Sequence, residues 1–370
     1  MISFLIFFLF IFDSGGNIGI RNIGFLLMGI CVLEILLKNK IIINRYFLIF
    51  WVGIVSFLLV NLAVAMQNGA EFLNANVFSF SMYMLVFFYI LARNNYLDIE
   101  GYLNAVKVFA VFVIVFFLGR LLGINIIVEI YRFVPSVTGP DGTKNGMAVV
   151  YYQGTLALVP GSVMFACQKK TGWFLICVIA LAAAQSRFGL FTSILFFLII
   201  YRKKIYIPAM LALAVMAVIA VFQVEIPVLT TFLEMFNGRY SGSQIRQGHL
   251  YSILALLRDN PAYILFGQGA GTSFYTSGFN TYTDSVEISH FDFMRKYGVL
   301  FFGILSLALL WIIFVLFKKR QARQTRLAFA LMAHYVVAIS NPVLMSLPIM
   351  MLMCVAIVEA EQKRCVFVHS

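Results

Sequence analysis

A chain of 370 residues that is 62% hydrophobic and only 11% charged, with a mean hydropathy of +0.96, is too apolar to be a soluble domain. Its net charge of +12 does not mark a nucleic-acid binder, because most of the basic residues sit in short loops between apolar runs, where they set orientation in a bilayer. Five scattered cysteines (31, 167, 177, 354 and 365) form no Cys-x-x-Cys pair, so neither a disulfide nor a metal centre is expected.

Twelve apolar runs follow one another, near 2–12, 22–37, 42–65, 75–92, 102–123, 146–167, 173–184, 188–201, 205–222, 294–317, 327–340 and 343–358. They predict an all-α integral membrane protein of about 12 transmembrane helices. The first run rises only about 18 Å against a hydrocarbon core of about 30 Å. It either extends through Ile20 or does not cross fully, so eleven crossings are the alternative. No basic segment precedes it and no cleavage site follows, which reads as a retained helix and not a signal peptide. Basic residues follow every even-numbered run: Lys38, Lys40 and Arg45; Arg93; Lys169 and Lys170; Arg202 to Lys204; Lys318 to Arg326; Lys363 and Arg364. Those exits are therefore predicted to be cytoplasmic, with both termini.

Runs seven and eight are short. One long helix would put one of the flanking clusters, Lys169-Lys170 or Arg202-Lys203-Lys204, outside, whereas two helices keep both inside. Arg187 then lies at a tight external turn, below the outer surface, where an arginine needs an anion or a water-filled cavity, or snorkels to the interface. A smaller external loop covers 124–144, and Arg120, Arg132 and Lys144 read as headgroup contacts.

After the ninth run the chain turns polar for about seventy residues from Gln223, far longer than an ordinary connection. The organisation is thus residues 1–222 with nine helices, 223–292 as an external loop carrying the site, and 293–370 with three helices and a cytoplasmic tail. Within the loop, Ser241 or Ser243 starts a helix that Asn260-Pro261 ends. Arg246 and His249 share a face of it, and Leu250, Ile253, Leu254 and Leu257 form a stripe expected to dock on the membrane helices or the interface. Gly267-Gln268-Gly269-Ala270-Gly271 looks like a phosphate loop, but no strand precedes it, and a close-approach turn is the better reading. Glu287 and His290 are three apart, just before the tenth run. Asp284, Glu287 and Asp292 match no standard metal-site spacing.

The order of these motifs is informative. Ser186-Arg187-Phe188-Gly189-Leu190 turns between two short helices. The loop opens with Gly238-Arg239, then Ile245-Arg246 and His249-Leu250. Asn260-Pro261 precedes Phe266-Gly267-Gln268-Gly269, and an acidic/histidine motif leads into Tyr297-Gly298-Val299. This order, over roughly residues 140–320, resembles the O-antigen polymerase (Wzy) and O-antigen ligase (WaaL) superfamily. The resemblance implies a metal-independent glycosyltransferase at the periplasmic face of the bacterial inner membrane, with no cofactor. It also implies an undecaprenyl-diphosphate-linked oligosaccharide as donor and a chain-length regulator protein as partner, beside the membrane lipids.

Breaking a sugar–diphosphate bond builds negative charge on the leaving group, and arginine meets phosphate through a bidentate fork. Arg187, Arg246 and Arg239 are the candidates for that role. His290 or Glu287 would take the proton of the attacking hydroxyl. His249, Arg258 and Asp292 complete the candidate substrate contacts. His290-Phe291-Asp292, with Glu287 before it, is closer to the polymerases than to the ligases, in which Asn follows the histidine. A flippase for the same lipid-linked sugar is the rival from another class, but it would need ionisable groups deep in its helices. Here only Glu34 and Lys107 qualify, both near predicted cytoplasmic ends.

Overall fold

The computed structural model describes residues 1–14, 19–38, 41–124, 143–144, 147–148, 153–184, 186–202, 241–286, 288–339, 341 and 344–362. These residues are overwhelmingly helical. The sheet consists of two short antiparallel pairs, Thr143–Lys144 with Met147–Ala148 and Phe274–Thr276 with Thr281–Thr283. The helices are α1 (Ile2–Phe12), α2 (Arg21–Leu37), α3 (Arg45–Gln67), α4 (Phe72–Tyr83), α5 (Leu85–Arg93), α6 (Ile99–Leu121), α7 (Leu158–Cys167), α8 (Thr171–Ala183), α9 (Arg187–Ile200), α10 (Ser241–Asp259), α11 (Ala262–Phe266), α12 (Ser289–Tyr297), α13 (Val299–Lys319), α14 (Ala322–Val337) and α15 (Leu347–Glu361). Three of them, α3, α6 and α13, are long and apolar enough to cross a membrane. The ninth apolar run lies outside the described residues.

The described apolar runs become helices, and three departures from the expected boundaries have a visible local setting. The fourth run breaks at Met84, where Trp51 of α3 donates its indole N–H to the Tyr83 carbonyl (3.3 Å). In the sixth run a 3₁₀ turn over Gln153–Ala157, in which a β-carbon on Gly154 would overlap the Ile11 carbonyl, leads into α7 at Leu158. The tenth run starts at Val299 and not at 294, because Gly298 (φ +86) ends α12 and begins α13. Runs seven and eight are two helices, as their flanking charges predict.

α1 is an internal strut. Ile6, Phe7, Phe10 and Ile11 are fully buried, and Ser3 accepts the Asp98 N–H (3.0 Å) where α6 begins. Its 11 residues span about 16 Å, about half the hydrocarbon thickness.

Side-chain contacts sort the helix ends into two sets. Tyr89 donates to Glu361 (2.7 Å) and accepts the N–H of Asn44, and Arg93 pairs with Glu361 (3.7 Å). Arg323 pairs with Glu359 (2.7 Å), and Lys319 donates to the Glu359 carbonyl (2.9 Å). Tyr201 at the end of α9 donates to the Ala166 carbonyl at the end of α7 (3.1 Å). Lys107, early in α6, stands over the rings of Phe165 and Trp173. Among the described residues, Arg93, Lys319 and Arg323 thus meet at the C-terminal end of α15, and the ends of α7 and α9 meet each other. The far end of α3, about 34 Å away along its 23 residues, holds the segment from Ser241 to Gly298.

Candidate functional site

The loop unit is tied to α3 by two asparagines, Asn61 inside that apolar helix and Asn68 at its C-terminal cap. Asn61, 1% exposed, donates through Nδ2 to the carbonyls of Phe266 (2.9 Å) and Lys296 (2.8 Å), and its Oδ1 accepts the Ala270 N–H (3.1 Å). Asn68 donates to the Gln268 carbonyl (2.7 Å) and accepts from the Tyr263 hydroxyl (3.3 Å). Gly269, at φ +100, presses so close to α3 that a β-carbon would overlap the Cα of Ala65. The glycine-rich turn is therefore a close-approach turn. It is no phosphate cradle, because its amides are engaged: Gln268 with the Arg295 carbonyl (2.6 Å), Gly269 with the Lys296 carbonyl (3.1 Å) and Ala270 with Asn61.

Under this turn lies a buried charge cluster. Arg295 is fully buried. Its Nε and Nη2 donate to Asp292 Oδ1 (3.0 and 2.8 Å), Nη1 to Gln268 Oε1 (2.8 Å) and the Thr272 carbonyl (3.1 Å), and Nη2 also to the Asp284 carbonyl (2.8 Å). Phe274 lies beneath the guanidinium at 4.3 Å. Lys296 Nζ pairs with Asp292 Oδ2 (2.7 Å). Burial alone would raise the Asp292 carboxyl, but Lys296 and Arg295 more than offset this and hold it below its ordinary value. Burial pushes the Lys296 ammonium down, against the attraction of Asp292. At 5% exposed, with both oxygens engaged, Asp292 is the counter-ion of two cations. Neither cation stands out in the sequence; the available signal is their i+3 and i+4 spacing from Asp292 on one helix face.

His290, one turn earlier on α12, is 6% exposed and wedged edge-on between Phe302 (5.4 Å) and Tyr335 (4.7 Å). Among the described residues neither ring nitrogen has a partner in hydrogen-bonding geometry, although the nearby Ala338 backbone favours the charged form. Burial wins and lowers the imidazole below its usual value, so it is neutral at pH 7. The folded state then binds fewer protons than the unfolded one below about pH 6.5, and stability falls as pH drops through that window. We expect acidification from pH 7.5 to 5.5 to lower the melting temperature of the purified protein. One proton sets a slope of at most about 1.4 kcal/mol per pH unit. His290→Phe should flatten the curve; an unchanged pH profile in that variant refutes the assignment.

The remaining candidates are distributed as follows. His249 is completely buried, with Nδ1 2.6 Å from Thr276 Oγ1 and its ring edge-on to Phe279, so it pins the Phe274–Thr283 hairpin to α10. Ile253 and Leu257 of the predicted stripe pack against Phe274, Val286 and Ile288, a small core belonging to the loop itself, and Leu254 points outward. This corrects the docking expected on the membrane helices: the hairpin supplies the apolar partner instead. Arg246 is half-buried on α10, and Arg258 is exposed at its end beside Asp259. Arg239 and Glu287 lie outside the described residues.

Arg187 opens α9, half-buried. Phe196 of α9 meets Phe329 of α14 edge-on (6.4 Å). Ser289 of α12 donates to the Asn341 carbonyl just beyond the end of α14. No family model, curated protein or solved structure matches this chain.

Proposed function

We propose that the chain is an O-antigen polymerase, a glycosyltransferase of the bacterial inner membrane that joins undecaprenyl-diphosphate-linked repeat units at the periplasmic face. One observation supports the reading: the polar unit that carries Arg246 and His290 is fastened to the C-terminal end of α3 through Asn61 and Asn68, away from the helix ends that hold Arg93, Lys319 and Arg323. Cationic groups at one membrane face, outside the apolar span, are what an anionic lipid diphosphate needs. The twelve-crossing topology, with both termini cytoplasmic, belongs to the same proposal, as does a chain-length regulator partner.

In this reading Arg187 and Arg246, with Arg239, neutralise the diphosphate as the C1–O bond of the donor breaks. An acceptor hydroxyl attacks C1 from the opposite side, which inverts the anomeric centre, and its proton passes to His290 or Glu287. A neutral imidazole is the protonation state a base requires, worth about 10²–10⁴-fold. The Asp292–Arg295–Lys296 cluster supports the helix that carries His290. It takes no part in the chemistry.

The test is a lipopolysaccharide gel from a strain lacking the gene, complemented with variants. Core bearing a single repeat unit, with the ladder gone, means polymerase. Bare core with long glycan stranded on the carrier means ligase, and repeat units trapped on the cytoplasmic leaflet mean a flippase. Arg187→Ala and Arg246→Ala are each expected to abolish long-chain glycan at normal protein level, and His290→Ala to lose most of it. A full ladder in either arginine variant sinks the diphosphate assignment.

A further inference from the structure

α11 leaves three consecutive apolar side chains uncovered: Ile264, Leu265 and Phe266 are 42%, 49% and 46% exposed. At 3.6 residues per turn they sweep about 200° of the helix circumference, more than half of it. The core of the loop unit takes Ile253, Leu257, Phe274, Val286 and Ile288 and leaves these three outside. In water such a run is a solubility fault unless something apolar meets it.

Two helices long enough to cross a membrane give the depth at which α11 stands. Asn61, whose amide holds the Phe266 carbonyl (2.9 Å), lies about 24 Å along α3 from Arg45. A hydrocarbon core is about 30 Å thick, so that carbonyl falls at or just inside its far boundary. α3 stays apolar to Met66, and Leu59, Val60 and Met66 are exposed on it. α13 gives the same depth from the opposite direction. From Lys319 to Val299 it rises about 30 Å. Gly298, which begins it, lies so close to α11 that a β-carbon there would overlap the Leu265 carbonyl. Leu300, Ile304, Leu307 and Trp311 form an exposed stripe down α13, spaced as one helix face. Tyr263 suits a boundary position as well. Its ring is half-buried, and its hydroxyl reaches Asn68 (3.3 Å), about 10 Å nearer the polar end of α3 than Asn61.

We propose that α11 is seated in the bilayer, with Ile264, Leu265 and Phe266 in the zone between headgroups and hydrocarbon of the leaflet on the loop side. The occupant of this face is lipid, because the face stands at the depth where the exposed apolar rows of α3 and α13 end and continues them. The seat moors the loop unit to the membrane and is independent of the reaction proposed above.

The experiment uses the full chain in phospholipid vesicles, with its native cysteines replaced by alanine and a nitroxide spin label on one new cysteine: Ile264→Cys, Leu265→Cys or Phe266→Cys. Collision with dissolved oxygen, which prefers lipid, is compared with collision with a water-soluble nickel chelate. Ile304→Cys, on the exposed row of α13, is the reference for a folded and inserted chain. The expected result is that oxygen outweighs nickel at two or more of the three sites, by about tenfold at a depth of about 5–10 Å below the headgroups. Nickel outweighing oxygen at two of them puts α11 in water and overturns the proposal. Labels shielded from both reagents lie under protein, and dipolar broadening between labels identifies a second copy of the chain; either result overturns it too. Should the cysteine-free chain fail the Ile304→Cys reference, Leu265→Trp in the otherwise native chain replaces it, with lipids brominated along their tails as quenchers and the wild-type signal subtracted. Strong quenching of the added fluorescence supports the seat, and none refutes it.

Discussion

Asp292→Ala is expected to destabilise the loop unit by about 3–5 kcal/mol, the usual cost of removing one partner from a buried ion pair. The carboxylate pairs with two cations that are themselves 0% and 5% exposed. Its loss strands Arg295, which cannot shed its charge, and Lys296, which can. Lys296 already titrates below its ordinary value, so in the variant it should lose its proton and relieve part of the penalty. Arg295 keeps Gln268, Thr272 and the Asp284 carbonyl but no counter-charge. Asp292→Asn should fall between, since an amide oxygen still accepts from the guanidinium. Adding Lys296→Met to Asp292→Ala should recover part of the loss, giving a coupling energy in a double-mutant cycle. The readout is the melting temperature in a fixed detergent, together with trypsin cleavage at Arg295 and Lys296. Asp292→Ala melting within a degree of wild type, with both sites still resistant, would show that the cluster is not the support it is taken to be.

Hydropathy and charge made the helical bundle legible because bilayer-spanning helices must be apolar over a set length and their exits carry a charge bias. Tyr201 beside Ala166 is the clearest case: two short runs bounded by lysines return to one end, as charge alone required. The breaks were not legible. Nothing around Met84 signals a stop in an apolar run, since the break is set by Trp51 on another helix. Gly298 signals one only once its positive φ is known. In the loop, periodicity found α10 but not the hairpin that its Ile253 and Leu257 cover, because strands of three residues carry almost no pattern. Of the candidate residues, His290 is held against Tyr335 near the end of α14. Asp292 and His249 became supports, because burial is a tertiary property that spacing does not encode. Arg295 and Lys296 read as an ordinary basic pair ahead of a membrane helix.

Asn61→Leu should free the loop unit from the bundle without disturbing the bundle. Leucine keeps the volume close and makes α3 more apolar, so insertion and the helix itself are unaffected. The cost falls on the loop. The Phe266 carbonyl and the Ala270 N–H lose the partner Asn61 supplies, and the Lys296 carbonyl keeps only Gly269. Each buried backbone group so stranded costs about 1–3 kcal/mol, which makes a total of about 2–6 kcal/mol for the first two. Gly269→Val reaches the same contact by another route, since a side chain there meets the backbone of Ala65 at a φ that non-glycine residues avoid. Two unrelated chemical causes should therefore give one phenotype. Amide exchange across 262–298 should quicken by at least tenfold, while the peptides of α14 and α15 exchange as in wild type. A loop that stayed protected in both variants would mean that Arg295 and its partners hold it in place, and that the Asn61 bonds are incidental. If only Gly269→Val released it, steric fit and not hydrogen bonding would set the distance between the loop and α3. If both release it and the glycan ladder collapses with them, the position of His290 over the bundle, and not the chemistry of the loop alone, is what the activity depends on.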